Sequence, residues 1–144
     1  MPSLPFIHIR SGKFPKLPGE DEELINEGMY GKALASYLQS GLRSKGYDVP
    51  GFCCEDWGWW VGLKGFSSMQ GACIYCIAQR DEIQEYCVCV GTGPGRKWSW
   101  KRFRFIDTTA EVKRLDNDLR SLFTNDPEIE VLGFPENPPL IQQE

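Results

Sequence analysis

Histidine is nearly absent from this sequence: His8 is the only one in 144 residues. Imidazole is the side chain that titrates near neutral pH and the commonest general base. A single copy, in the alternating run Ile7-His8-Ile9, reads as a strand residue with a satisfied ring rather than as a base. Catalytic signatures are missing as well. There is no His-Glu-x-x-His, no Gly-x-Ser-x-Gly, no dinucleotide fingerprint and no phosphate loop ending in Gly-Lys-Ser/Thr, which leaves metalloprotease, α/β-hydrolase, Rossmann and nucleoside-triphosphatase chemistry without support. No apolar run approaches the length of a membrane span, and Met1-Pro2-Ser3-Leu4-Pro5-Phe6 lacks the charged start and apolar stretch of a signal peptide. The expectation is a cytoplasmic protein without a membrane partner. Positive charge is also in deficit: the net charge of −4 opposes binding of polyanions over the whole surface.

What is present suits one globular domain. With 41% hydrophobic and 25% charged residues, the composition argues against disorder. A chain of this length buries roughly 68–70% of its unfolded surface and needs neither metal nor disulfide to fold. The six cysteines are therefore read as buried small apolar residues before anything else.

The patterning gives the element order. Phe6-Ile7-His8-Ile9-Arg10 is a first strand. Residues 15–27 hold Pro15, Pro18, Gly19 and the run Glu20-Asp21-Glu22-Glu23, an exposed acidic loop suited to contact with a basic partner. It lacks the order of a calcium loop, and no metal is assigned to it. Met29 to Lys45 carries apolar residues at helical spacing, with Asn26 as cap in front and Gly46 as stop behind. The stretch Cys53-Cys54-Glu55-Asp56-Trp57-Gly58-Trp59-Trp60-Val61 reads as a central strand. Its alternation sets Glu55, Trp57, Trp59, Val61 and Leu63 on a core face, and Asp56, Gly58, Trp60 and Gly62 on a face for the helix to cover. Asp56 is then placed to pair with a helix residue such as Lys32.

Two motifs in this part, Gly28-Met29-Tyr30-Gly31-Lys32-Ala33-Leu34-Ala35 and Glu55-Asp56-Trp57-Gly58-Trp59, resemble a group of small bacterial proteins of unassigned function. The resemblance spans roughly residues 20–63. It implies no functional residue.

Gly71 to Ala78 and Glu85 to Val90 are two further strands around a polar turn, the first apolar on both faces and hence central. In an antiparallel hairpin a residue-number sum of 162 sets Cys73 against Cys89 and Tyr75 against Cys87, and a sum of 163 sets Cys76 against Cys87. Zinc wants four ligands around one point, whereas a strand sends Cys73 and Cys76 to opposite faces, so a Cys73, Cys76, Cys87, Cys89 metal site is not assigned. Residues 96–105 hold five basic and four aromatic residues, and in extended form Trp98, Trp100, Arg102 and Arg104 share one face. Such a strip suits a single-stranded nucleic acid or a nucleotide, or else a charged sheet edge. Thr108-Thr109-Ala110-Glu111 has capping-box spacing and opens a second helix that Asn125-Asp126-Pro127 ends. Glu128 to Phe134 is a last strand, followed by a Pro-rich tail over 135–144.

The sum is a single α+β domain over 1–144, a mostly antiparallel twisted sheet of about five to six strands with two helices packed on it. Its expected role is a non-catalytic binding protein, an inhibitor or immunity-type partner of a toxin, nuclease or defence effector, without cofactor. Two alternatives stand beside it. One is a nucleotide or single-strand binder through residues 96–105; the other is a small hydrolase or transferase with a pocket around Glu55, Trp57 and Trp59. The protein-binding reading rests on Glu20, Asp21, Glu22 and Glu23, with Glu55 as a further candidate.

Overall fold

The computed structural model describes residues 4–65, 70–92 and 109–139. The period-two runs become strands: β1 (Ile7–Ser11), β2 (Asp48–Glu55), β3 (Gly58–Lys64), β4 (Gln70–Gln79), β5 (Gln84–Thr92) and β6 (Ile129–Gly133). Among the described residues three helices accompany them, α1 (Glu20–Glu23), α2 (Lys32–Ser44) and α3 (Thr109–Thr124). The strands form one antiparallel sheet in the order β2-β3-β4-β5-β1-β6. The fold is α+β, with β4 inside the sheet as its two apolar faces require.

One face of the sheet carries the core. Ile7 and Ile9 of β1, Trp59, Val61 and Leu63 of β3, Ala72, Ile74 and Cys76 of β4, and Tyr86 and Val88 of β5 join Leu34, Leu38 and Leu42 of α2 and Leu115, Leu119 and Phe123 of α3. Each fully buried leucine or isoleucine contributes roughly 1.5–3 kcal/mol relative to exposure. Both long helices lie on this face, packed so closely that a Cβ on Gly41 of α2 would meet Leu122 of α3 at 2.8 Å. Helix α2 ends as its sequence foretells: Gly46, at φ 95°, donates to the Arg43 carbonyl, and the Tyr47 amide reaches back to Leu42.

The tryptophan stretch departs from expectation. It is a hairpin, not one central strand: Glu55 pairs with Gly58, leaving Asp56 and Trp57 as a two-residue turn between β2 and β3. Position 58 requires glycine, since a Cβ there would lie 2.0 Å from the Ile74 carbonyl oxygen of β4. The alternation within β3 holds, with Trp59, Val61 and Leu63 in the core. Trp57, however, leaves that face and stacks at a tilt on Tyr75, with ring centroids 5.2 Å apart. Helix α2 also covers the Trp59 face and not the Trp60 face; a Cβ on Gly31 would touch Trp59 at 2.9 Å and Ile74 at 3.1 Å. On the opposite side the Trp60 ring reaches over β4 and β5, where a Cβ on Gly71 would meet it at 2.7 Å and one on Gly91 at 3.6 Å. The bare backbone makes room for the indole.

The cysteine register follows the sum of 162: Cys73 faces Cys89, and Tyr75 faces Cys87. Beyond Cys76 a bulge shifts the pairing, so Ala78 faces Glu85. Cys76 enters the core while Cys73 lies on the Trp60 side, the opposite-face arrangement that argued against a shared metal. Among the described residues no three histidine, cysteine or carboxylate side chains are gathered as metal ligands would be.

Candidate functional site

The acidic run is not uniformly a surface. Glu20 opens α1 but is only 1% exposed. Its carboxylate accepts hydrogen bonds from the backbone amides of Gly31 at 2.9 Å, Lys32 at 3.1 Å and Leu17 at 3.0 Å. Gly31 and Lys32 open α2, so a glutamate from a distant turn supplies the cap that Asn26 was expected to give. Glu20 therefore leaves the set of partner-binding residues; a buried carboxylate that already accepts three amides has nothing to offer a ligand. The helix begins at Lys32, later than Met29, because the backbone amides needing a cap are those that Glu20 reaches.

Asp21, Glu22 and Glu23 do remain exposed. Asp21 accepts from the Tyr30 hydroxyl and pairs with Lys16 at 3.0 Å. The Tyr30 bond and then Lys16 hold its carboxyl below the ordinary value, and the same bond pushes the Tyr30 phenol up to about 12. Glu23 pairs with Lys32 at 2.5 Å, which takes the partner expected for Asp56. Glu22, Glu27 and Asp56 make no ion pair among the described residues.

The fold brings the acidic loop to the hairpin turn. The Asn26 side chain donates to the Asp56 carbonyl oxygen at 2.6 Å, and the Ile25 backbone hydrogen-bonds the Cys54 sulfur. Between these two tethers the Ile25 side chain stands 59% exposed. Asp21, Glu22, Glu23 and Glu27, all exposed, flank it within four residues in sequence, and the Asn26 bond brings the turn that carries exposed Asp56 to the same loop. An apolar side chain of this size left exposed in an acidic segment is the feature that sequence reading missed. Periodicity cannot find it, because residues 24–27 belong to no helix or strand.

Glu55 is half-buried at the end of β2, where it accepts a hydrogen bond from the Cys53 thiol at 3.4 Å. The proposed pocket partners do not gather around it. Trp59 is 3% exposed, and its indole N–H donates to the Met29 carbonyl at 3.0 Å. Neither of the two best-formed grooves, both against α2 and α3, includes Glu55, Trp57 or Trp59. The larger groove, about 510 Å³, runs along Ser36, Ser40 and Ser44 of α2 and ends at Lys13 and Tyr37. There Asp126 accepts from Lys13 Nζ at 2.7 Å and from the Tyr37 hydroxyl at 2.9 Å. Burial would raise this carboxyl, but the bonds from Lys13, the Glu128 amide and Tyr37 outweigh it and keep Asp126 below its ordinary value. These polar groups satisfy one another and tie the loop after β1 to both long helices.

His8 meets Glu85 across β5 at 3.3 Å, a satisfied strand residue as expected. Trp98, Trp100, Arg102 and Arg104 lie outside the described residues. No helix among the described residues is long and apolar enough to cross a membrane. No family model matches the chain, and no curated protein or solved structure is detectably similar to it.

Proposed function

We propose that this chain is a non-catalytic protein-binding module of inhibitor or immunity type, which holds a basic protein against loop 21–27 and the β2–β3 turn. The observation that carries this reading is Ile25, 59% exposed in the acidic segment that holds Asp21, Glu22, Glu23 and Glu27 and that Asn26 ties to the Asp56 turn. An apolar anchor supplies binding energy once water is excluded around it, and a rim of one sign selects and steers a partner of the other. Asp21 and Glu23 are engaged by Lys16 and Lys32, so Glu22, Glu27 and Asp56, which make no ion pair among the described residues, are the charges offered to a partner's lysines and arginines. The absence of catalytic motifs in the sequence agrees with a role as ligand rather than catalyst.

The test uses the full chain, immobilised and exposed to native lysate of its host at low salt. A basic protein is expected to bind stoichiometrically and to elute as salt is raised. Ile25→Asp, and Glu22→Lys with Glu27→Lys, should each abolish capture while circular dichroism stays that of the wild type. Absence of any stoichiometric partner, or capture that survives both variants, overturns the reading.

A further inference from the structure

We propose that Cys73 and Cys89 form a site of reversible oxidation, a dithiol at the centre of the sheet that closes to a cross-strand disulfide when a small peroxide reaches it. The register carries this inference. The two cysteines are direct partners across β4 and β5, and both are free thiols on the same face. Facing residues of an antiparallel pair hold their Cβ atoms about 4.5–5.5 Å apart, and a disulfide needs about 3.5–4.5 Å, so closure asks for a shift on the order of an ångström. The Cys73 sulfur already leans over β5. A Cβ built on Gly91, two residues beyond Cys89, would lie 2.4 Å from it.

The surroundings select this pair from the six cysteines. Cys76 points into the core, and Cys87 is fully buried opposite Tyr75. Cys53 and Cys54 are neighbours on β2 and point to opposite faces. The register sets no other two cysteines opposite one another. Cys73 is buried and paired with Trp60 across β3 and β4, while Cys89 is partly exposed, so the pair borders solvent on the Cys89 side. The Cys89 thiol donates to the Cys73 sulfur, which lowers the proton affinity of Cys73 below the ordinary thiol value and raises that of Cys89. Cys73 takes the attacking role and Cys89 the resolving one, an order that the Cys89 variant below tests.

The chemistry balances with hydrogen peroxide as oxidant. The Cys73 thiolate attacks one peroxide oxygen, the O–O bond breaks, and Cys73 sulfenic acid forms with release of hydroxide. Cys89 then attacks the sulfenic sulfur; the S–O bond breaks, the Cys89 proton leaves with that oxygen as water, and the S–S bond forms. Two equivalents of an external thiol reverse it by exchange and leave as their own disulfide.

The folded full-length chain, treated with hydrogen peroxide, quenched, alkylated under denaturing conditions and digested with trypsin, decides the matter. Cleavage after Arg80 places Cys73 and Cys89 on separate peptides. These peptides are expected to remain joined, lighter by two hydrogens, and to part after dithiothreitol; fragmentation should assign the bond to Cys73 and Cys89 rather than Cys76 or Cys87. In Cys89→Ser, sulfenic acid should accumulate on Cys73 and be trapped by dimedone. If that variant does not fold, the wild-type peptide map alone decides. Recovery of Cys73 and Cys89 as separate peptides, alkylated or over-oxidised, or a bond joining other cysteines, overturns the proposal.

Discussion

A buried carboxylate that accepts three backbone amides cannot be removed without stranding those donors, so Glu20 is predicted to be a stability residue and not a contact residue. Glu20→Ala should cost about 2–3 kcal/mol in urea unfolding, the range of hydrogen bonds to a charged group, whereas Glu22→Ala on the same turn should stay within about 0.5 kcal/mol. Equal effects of the two would refute the assignment. Gly71 makes the same point through sterics. A Cβ there would lie 2.2 Å from the Val61 carbonyl oxygen and 2.7 Å from the Trp60 ring. Gly71→Ala should therefore destabilise by about 1–3 kcal/mol, while Gly51→Ala, whose added carbon meets nothing within 4 Å, should be near neutral by the same measurement. Neither role was legible in the sequence. Glu20 reads as one of four acids in a row, and which of them turns inward depends on amides eleven residues away.

At the scale of elements, the tyrosines report how the pieces are joined. All five are pushed up from their ordinary value of 10.0: Tyr30 by its bond to Asp21, and Tyr37, Tyr47, Tyr75 and Tyr86 first by burial. Tyr37 also bonds Asp126, and Tyr47 bonds Asp118 of α3. A folded-state value raised above the unfolded one means that the stabilisation is whole below pH 10 and declines as pH rises, for Tyr30 until about 12. The folded chain should show little phenolate absorbance at pH 10, where the urea-unfolded chain is half ionised, and its urea midpoint should fall from there upward. Tyr30→Phe should remove part of that fall; a midpoint with unchanged pH dependence would contradict the Tyr30–Asp21 link. The helices and strands themselves were readable, since α2 and α3 carry apolar stripes and Gly46 stops α2 where expected. The hairpin at Asp56 was not. Alternation continues across a two-residue turn with no break in its apolar pattern, and only the pairing of Glu55 with Gly58 shows where the chain reverses.

At the scale of the molecule, the arrangement decides which surfaces can meet a partner. The acidic loop is tied to the β2–β3 turn, so the proposed contact surface would be a composite of two segments thirty residues apart. Electrostatic association predicts that raising salt from 50 to 500 mM slows binding far more than it speeds dissociation, measurable by surface plasmon resonance once a partner is captured. The basic aromatic segment makes a separate prediction. If Trp98 and Trp100 stack on bases, oligonucleotides at low salt should quench tryptophan fluorescence, and Trp98→Ala with Trp100→Ala should abolish the quenching; a flat titration removes nucleic acid as a partner. The sequence by itself determined the α+β class, the two long helices and the core side of β3, and it narrowed the cysteine pairing to two registers, because these follow from periodicity and from the constant sum of facing residues; the structure chose the sum of 162. Only the tertiary structure decided that Glu20 points inward, that Ile25 points outward, that the helices cover the Trp59 face and that Trp60 lies on bare glycine backbone. Those outcomes depend on contacts between segments far apart in the chain, and no local pattern encodes which neighbour a side chain will meet.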